Sequence, residues 1–401
     1  MVPIPTFEVE RWMDEYEMTP GVLNTAETCA ASVSLDELAA LAGNKSNSNP
    51  VDTSMSLVYG AIRGTADLRA KVASLLGQSS LGNNNLLGAD DVLITQGAIA
   101  ANFQVLFTLL RPGDHVISVY PTYQQLYCVP ESIGAEVSLW KLQEHNGFVP
   151  DISELEGLIK PNTKMIIINN PNNPTGVTIP GKVLKKIASI SRARNLVLFA
   201  DEVYRPLYHD LFQEDADLPP SAVALDYDNV VVTGSMSKAY AMAGIRIGWV
   251  ASKNKEIIGA LASSRDYTTI SVSRIDDQIA NYALSDAIRL PLLKRNVELA
   301  RKNLDLLGDF VDRYGHILSW VKPNAGTTAF IKIAHNGVPV DEETFCKDLI
   351  SKTKVFFVPG RRCFGDGQDF AGFIRVGYVC HTEVLEEALA LLGPYLEKTF
   401  P

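Results

Sequence analysis

Three uninterrupted apolar runs, Met165–Ile168, Leu196–Ala200 and Val230–Val232, constrain this chain most, because each is too short for a helix and none alternates with polar residues. A strand that is apolar on every residue must be covered on both faces. Between the first two lies a stretch of amphipathic helical spacing, Gly181–Asn195, and alternation of this kind builds a mainly parallel sheet between layers of helix. Val92–Thr95, the apolar helix opening at Gln96-Gly97 and reaching about Leu110, and His115–Val119 continue the pattern. Ligands of such sheets bind outside the carboxyl ends of the strands. The residues just past each strand are therefore the candidate site.

After Val230–Thr233 comes Gly234-Ser235-Met236-Ser237-Lys238, with Arg246 eight residues on. A lysine held among apolar and cationic neighbours is expected to have a lowered amine pKa and to react with an aldehyde near neutral pH. Arg246, Ser235 and Ser237 suit a phosphate monoester, which takes cationic forks and short hydroxyl donors. Aldehyde plus phosphate points to pyridoxal phosphate, while a surface loop with an incidental Lys/Arg pair stays open on this run alone. Gly97, Ala98 and Ile99 open a helix directly after a strand, which makes either a second anion site of unpaired N–H groups or a plain turn packed by small residues.

Other strand ends add to the set. Asn169–Gly176 is a rigid turn rich in side-chain amides, among them Asn173. Asp201, emerging from a buried strand with Tyr204 close behind, needs a cationic or protonated partner; a pyridinium nitrogen, a salt bridge or a helix cap would each serve. Tyr123 stacks on a planar ring or packs as core. Arg375 sits mid-strand in Phe373–Tyr378 and calls for an anion, either a substrate carboxylate or a structural acid.

The 401 residues suffice for two domains, and the net charge of −10 disfavours nucleic-acid or anionic-membrane partners. The acidic start (Glu8, Glu10, Asp14, Glu15, Glu17) and the absence of any apolar run near ~18 residues predict a soluble, cytoplasmic protein. Five scattered cysteines and six histidines without ligand spacing imply neither a disulfide framework nor a metal. There is no G-x-G-x-x-G, which counts against a dinucleotide oxidoreductase, and no basic helix-turn-helix candidate, which counts against a regulator. The organisation expected is an N-terminal segment (1–45) packing on the small domain, a large domain (46–286), and a small α+β domain (287–401) entered by a helix at about Ala287–Arg313. Polar loops are expected at Asn44–Pro50 and Ser79–Gly88.

Taken together, Tyr59-Gly60 with Gly64 and Leu68-Arg69, Gly97-Ala98, Pro121-Thr122-Tyr123, Asn173-Pro174-Thr175-Gly176, Asp201 with Tyr204, Ser235-x-Ser237-Lys238 with Arg246, and Arg375 resemble the class I/II aminotransferases. The resemblance implies fold-type I α/β architecture, pyridoxal 5′-phosphate, an L-α-amino acid and a 2-oxo acid as substrates, and a homodimer with shared active sites. On it, Lys238 is the Schiff-base lysine and proton shuttle, Asp201 keeps the ring nitrogen protonated, and Tyr204 and Asn173 hydrogen-bond the ring hydroxyl. Tyr123 stacks on the ring; Gly97, Ala98, Ile99, Ser235, Ser237 and Arg246 hold the phosphate, and Tyr59 reaches in from a second subunit. Arg375 clamps the α-carboxylate beside Asn173. Three departures stand out: no hydroxyl residue at Ala98-Ile99, no glycine within Leu23–Cys29, and Asp266 beside Arg265 where some relatives place a substrate-binding arginine. Asp266 facing the pocket would favour a cationic or guanidino side chain; paired with Arg265, it would not. Elimination, replacement or cyclisation, as in enzymes resembling aminocyclopropane-carboxylate synthase or capreomycidine synthase, is the alternative outcome.

Overall fold

Apolar strands and amphipathic helices alternate through the first two thirds of the chain, and the computed structural model, which describes residues 4–43, 49–77 and 87–401, assembles them into one large sheet. The loops expected at Asn44–Pro50 and Ser79–Gly88, with the boundary at 45, lie for most of their length outside the described residues. The chain opens with α1 (Glu8–Tyr16), the short strand β1 (Leu23–Asn24) and α2 (Leu35–Ala40). Next come α3 (Ala66–Gly77), β2 (Val92–Thr95), α4 (Gly97–Leu109), β3 (His115–Tyr120), α5 (Gln125–Ile133) and β4 (Glu136–Lys141). The middle of the chain supplies α6 (Ile152–Leu158), β5 (Thr163–Asn169), α7 (Gly181–Ala193), β6 (Val197–Asp201), β7 (Val230–Ser235) and β8 (Gly248–Ala251). Three helices, α8 (Lys255–Arg265), α9 (Arg274–Ala283) and α10 (Asp286–Arg313), lead to β9 (Leu318–Trp320), β10 (Thr328–His335) and β11 (Val338–Pro339). The last stretch is α11 (Glu342–Thr353), β12 (Val355–Phe356), β13 (Val358–Pro359), α12 (Gly360–Phe364), β14 (Phe373–Gly377) and α13 (Thr382–Thr399).

The seven-stranded sheet has the order β2-β8-β7-β6-β5-β3-β4, and β8 alone runs against the rest. Successive side chains of a strand point to opposite faces, so Ile166 and Ile168 of β5 enter one core and Met165 and Ile167 the other. Each such side chain contributes roughly 1.5–3 kcal/mol by leaving water. The register pairs Asn169 with Asp201 and Asp201 with Thr233, which brings three polar residues to adjacent carboxyl ends of the sheet.

A smaller antiparallel sheet, β11-β10-β14-β13 with β9 on β10, places Arg375 at its centre, opposite Phe330 and Val358. The N-terminal segment lies on this part: β1 pairs with β12, and Trp12 of α1 donates its indole N–H to the Phe357 carbonyl at 2.9 Å. α10 buries Leu293, Val297, Ala300, Leu304, Leu307 and Val311 along one face. On that face Asn296 donates to the Ala239 carbonyl (2.8 Å) and Asn303 to the Tyr378 carbonyl (2.7 Å). One helix thus braces both the loop that carries Lys238 and the strand end just past Arg375. Among the described residues no helix is long and apolar enough to cross a membrane.

Candidate active site

Beyond the end of β7 the chain turns, and Lys238 points its amine at the N-terminal segment. Its Nζ donates to Thr28 Oγ1 at 2.5 Å, lies 3.4 Å from Cys29 Sγ, and is 3.7 Å from Glu27 Oε1. Burial alone would lower the Lys238 pKa, as expected from sequence, but Cys29, Tyr204 and Glu27 outweigh it and raise the amine above the ordinary lysine value. That corrects the expectation, and the reason lies in the partners. Burial pushes the Cys29 thiol up to about 11 and raises Tyr204, so at neutral pH Glu27 is the charged one of the three. Burial opposes ionisation of Glu27 as well, yet the Lys238 ammonium and hydrogen bonds from Cys29 and Thr28 hold its carboxyl at about 2.

Asp201 ends β6 and is 2% exposed, without a basic group within ion-pair distance among the described residues. Its Oδ2 accepts from Asn102 Nδ2 at 2.9 Å and its Oδ1 from the Val203 N–H at 3.0 Å. Thr233 donates to Asn102 Oδ1 at 2.6 Å, which turns the amide so that its NH₂ faces the acid. Burial raises Asp201 to about 6 against these two hydrogen bonds. It is neither salt-bridged nor a helix cap.

The N-terminus of α4 meets Arg246 and the Ser235–Ser237 turn. Gly97 adopts φ +76°, and a Cβ there would fall 2.6 Å from Arg246 Nη2; one on Gly248 would fall 2.4 Å from the Gly97 carbonyl carbon. Only glycines leave this cradle open. Ser235 Oγ accepts from the Ser237 N–H at 3.1 Å. Arg375 is 3% exposed; its Nη1 reaches Asn173 Oδ1 (3.4 Å), its Nη2 the Ala26 carbonyl (2.9 Å), and its Nε has no partner among the described residues. No acid neutralises it within ion-pair distance there, so the structural salt bridge is not made.

One cavity of about 590 Å³ brings together Ala98, Ile99, Tyr123, Asn173, Asp201, Tyr204, Ser235, Ser237, Lys238, Arg246 and Arg375. Gly97 borders it through the backbone at Ala98. Tyr59 is 84% exposed and does not line it. Asp266 does not line it either: it caps the C-terminus of α8 in an exposed position, a correction to the expectation that it faces the pocket. The pairing with Arg265 is absent too, since all three guanidinium nitrogens of Arg265 are buried without a hydrogen-bond partner.

Sequence reasoning passed over Glu10, Asp14 and Glu17 of the N-terminal segment and Asn102, which line this cavity; Glu27-Thr28-Cys29 line it too and fall in the Leu23–Cys29 stretch that the resemblance already places along the substrate pocket. Asn102 left a signal, as a polar residue four places after Ala98 and so on the same face of an apolar helix. These side chains fit pyridoxal phosphate on three observations: a glycine cradle beside an arginine and two serines, a buried acid lacking a cationic partner, and an amine at the cavity wall.

Residues 37–392 match the family model described as aminotransferase class I and II. An aspartate aminotransferase of Thermotoga maritima is 28% identical over 337 residues, covering 83% of this chain and 82% of its own. A capreomycidine synthase of Streptomyces vinaceus is 30% identical over 309 residues, covering 76% and 74%. A solved PLP-dependent aminotransferase from Streptococcus suis superposes with a TM-score of 0.87 at 37% identity, over 99% of each chain.

Proposed function

This chain belongs to the aminotransferase class I and II family and is a pyridoxal-phosphate-dependent enzyme acting on an L-α-amino acid, and we propose from that premise what each cavity residue does in passing the amino group to a 2-oxo acid. When bound, the cofactor supplies an aldehyde for the substrate amine and a protonated ring that withdraws electrons from Cα. Ser235, Ser237, Arg246 and the first N–H groups of α4 bind its phosphate. Asp201 holds a proton donor at the ring nitrogen: a carboxylate already raised to about 6 in a dry site gains most from a cationic partner. Tyr204 and Asn173 hydrogen-bond the ring hydroxyl, and Tyr123, whose own hydroxyl is tied to Glu10 at 2.7 Å, presents its ring for stacking.

Arg375 fixes the substrate α-carboxylate beside Asn173, which fills its open donor and aligns Cα with Lys238. The Lys238 amine is placed to take the Cα proton and would pass it on toward the cofactor rather than back to Cα, the ammonium held meanwhile by Thr28 Oγ1 and the Glu27 carboxylate. The observation that carries the reading is the convergence in one cavity of Lys238 Nζ, an Asp201 carboxylate without a cationic partner and an Arg375 guanidinium whose Nε is open. Its test is the visible absorption of the cofactor-loaded enzyme after adding one L-amino acid and no 2-oxo acid. Transfer bleaches the band once and releases one equivalent of 2-oxo acid. The capreomycidine synthase among the relatives favours cyclisation or elimination as the second reading. There the band returns while the amino acid continues to disappear.

We further propose a cytoplasmic homodimer. Leu57, Val58, Tyr59 and Ile62 are exposed on a segment tied to α9 by the hydrogen bond from Arg274 Nη1 to the Ser56 carbonyl at 2.8 Å. A groove of about 690 Å³ lined by Phe103, Phe107, Val272 and Ser273 shares Ile99 and Arg246 with the catalytic cavity.

A further inference from the structure

We propose that the amino-acid substrate carries a cationic side chain, a guanidinium or an ammonium, received by Asp14 of α1 and Glu17, which caps its C-terminus, together with Glu27; the inference rests on the aminotransferase reading. Along α1, positions 10, 14 and 17 fall on one helical face, all three are acidic, and all three line the catalytic cavity. The other side of the helix is pinned. Trp12 is buried and hydrogen-bonded to Phe357, and Arg362 pairs with Glu8 at 2.8 Å while lying over the Trp12 ring; Val9 and Met13 line the cavity beside the acids. The acidic face is thus held at the cavity mouth, with Glu10 and Asp14 exposed and Glu17 half-buried.

The charges of the cavity do not cancel. Its acids are Glu10, Asp14, Glu17, Glu27 and Asp201; its bases are Lys238, Arg246 and Arg375. Each base already has work at the cofactor or the α-carboxylate, and Asp201 faces the ring nitrogen. What remains is Glu10, Asp14 and Glu17 around the space left for a side chain, with Glu27 beside them 3.7 Å from Lys238 Nζ. Glu10 is engaged by Tyr123, but among the described residues Asp14 and Glu17 have no basic group within ion-pair distance. Burial raises the Glu17 carboxyl, and Glu27, Glu10 and Asp14 raise it further, so these groups repel one another across a partly dry gap. Among the described residues no three of the acids form a group that could hold a metal ion.

A second feature of the same cavity points independently to a ligand. Arg375 is 3% exposed, and its Nε has no partner among the described residues. A molecule with a carboxylate at one end and a cation at the other satisfies both the arginine and the acidic helix face. A dicarboxylate would satisfy the first and be repelled by the second.

The experiment tracks the cofactor absorption of the loaded enzyme with L-arginine, L-lysine, L-norleucine and L-glutamate at low ionic strength. The expected result is a rate constant per substrate concentration for arginine or lysine at least about tenfold above norleucine and glutamate, falling toward norleucine as salt rises. Whichever of the two cations is faster identifies the head group. In the Asp14→Asn/Glu17→Gln enzyme the ratio of cation to norleucine drops by about tenfold or more. Norleucine or glutamate reacting as well as the cations overturns the inference whether or not the double variant folds, and so does a ratio that survives in a folded double variant. If none of the four perturbs the absorption, the aminotransferase reading and this inference fall together. If glutamate or norleucine reacts and the cations do not, only the inference falls.

Discussion

Asp201 shows what a functional residue costs the folded chain. An unfolded aspartate titrates near ~3.8 and the buried one at about 6, so between these values the folded protein holds a proton that the unfolded chain releases. This carboxyl therefore favours the folded state least above pH 6, and the cofactor-free enzyme loses stability through it as pH rises from about 4 to about 6. The shift corresponds to roughly 3 kcal/mol. Asp201→Asn keeps the shape and removes the charge, and like the protonated acid it turns a donor toward one of the two N–H groups that Asp201 accepts from. The cofactor-free variant should therefore gain on the parent in urea melts at pH 8 and draw level near pH 4, while the loaded variant loses roughly two orders of magnitude or more in turnover. A stability difference that does not change with pH would remove the argument. His209 works in the opposite sense, since burial lowers it to about 4 and its contribution is lost as pH falls from about 6.5, so the comparison must be variant against parent.

At the scale of elements, the helix that steadies the site is α10. Asn296 and Asn303 are fully buried on its apolar face, and each spends an amide on a backbone carbonyl next to the chemistry: Ala239 beside Lys238, and Tyr378 just past β14. Asn303→Leu leaves the carbonyls of Tyr378 and Cys380 without that donor and should cost about 1–3 kcal/mol, with KM raised more than kcat because Arg375, not Lys238, is the group loosened. Equal losses in both, or none in stability, would contradict the bracing role. The helix itself was legible in the sequence, since Leu293, Val297, Ala300 and Leu304 repeat at its period, as were the strands that are apolar throughout. The asparagines were not, because nothing local distinguishes a polar residue that faces a carbonyl from one that faces water. For the same reason β4 went unread at the sheet edge, where its residues are mostly half-exposed, and α5 was obscured by Pro130 inside it. The acids of α1 look like any solvated helix face until the fold brings that face to a cavity.

For the whole molecule, the proposed homodimer would have each site completed by the neighbouring chain. Tyr59 cannot serve the cavity of its own chain from an 84% exposed position, while the apolar groove beside Arg246 opens next to the same active site. Phe103 and Phe107, stacked 5.8 Å apart one helical turn from each other on α4, are 42% and 59% exposed there, and burying them is worth roughly 1.5–3 kcal/mol apiece. A second copy seated on this face would cover the groove and carry its Tyr59 segment toward the neighbouring cavity. Sedimentation should then give twice the chain mass of 43.8 kDa, with a melting temperature that rises with protein concentration. Phe107→Glu places a charge in that contact at a residue that does not line the catalytic cavity. It should weaken association by about a hundredfold or more and reduce cofactor retention in step with the loss of dimer. If the variant is monomeric yet binds the cofactor as tightly as the parent, each site is complete within one chain and Tyr59 has no part in it; if the parent itself sediments as a monomer, the exposed aromatic face awaits some other cover.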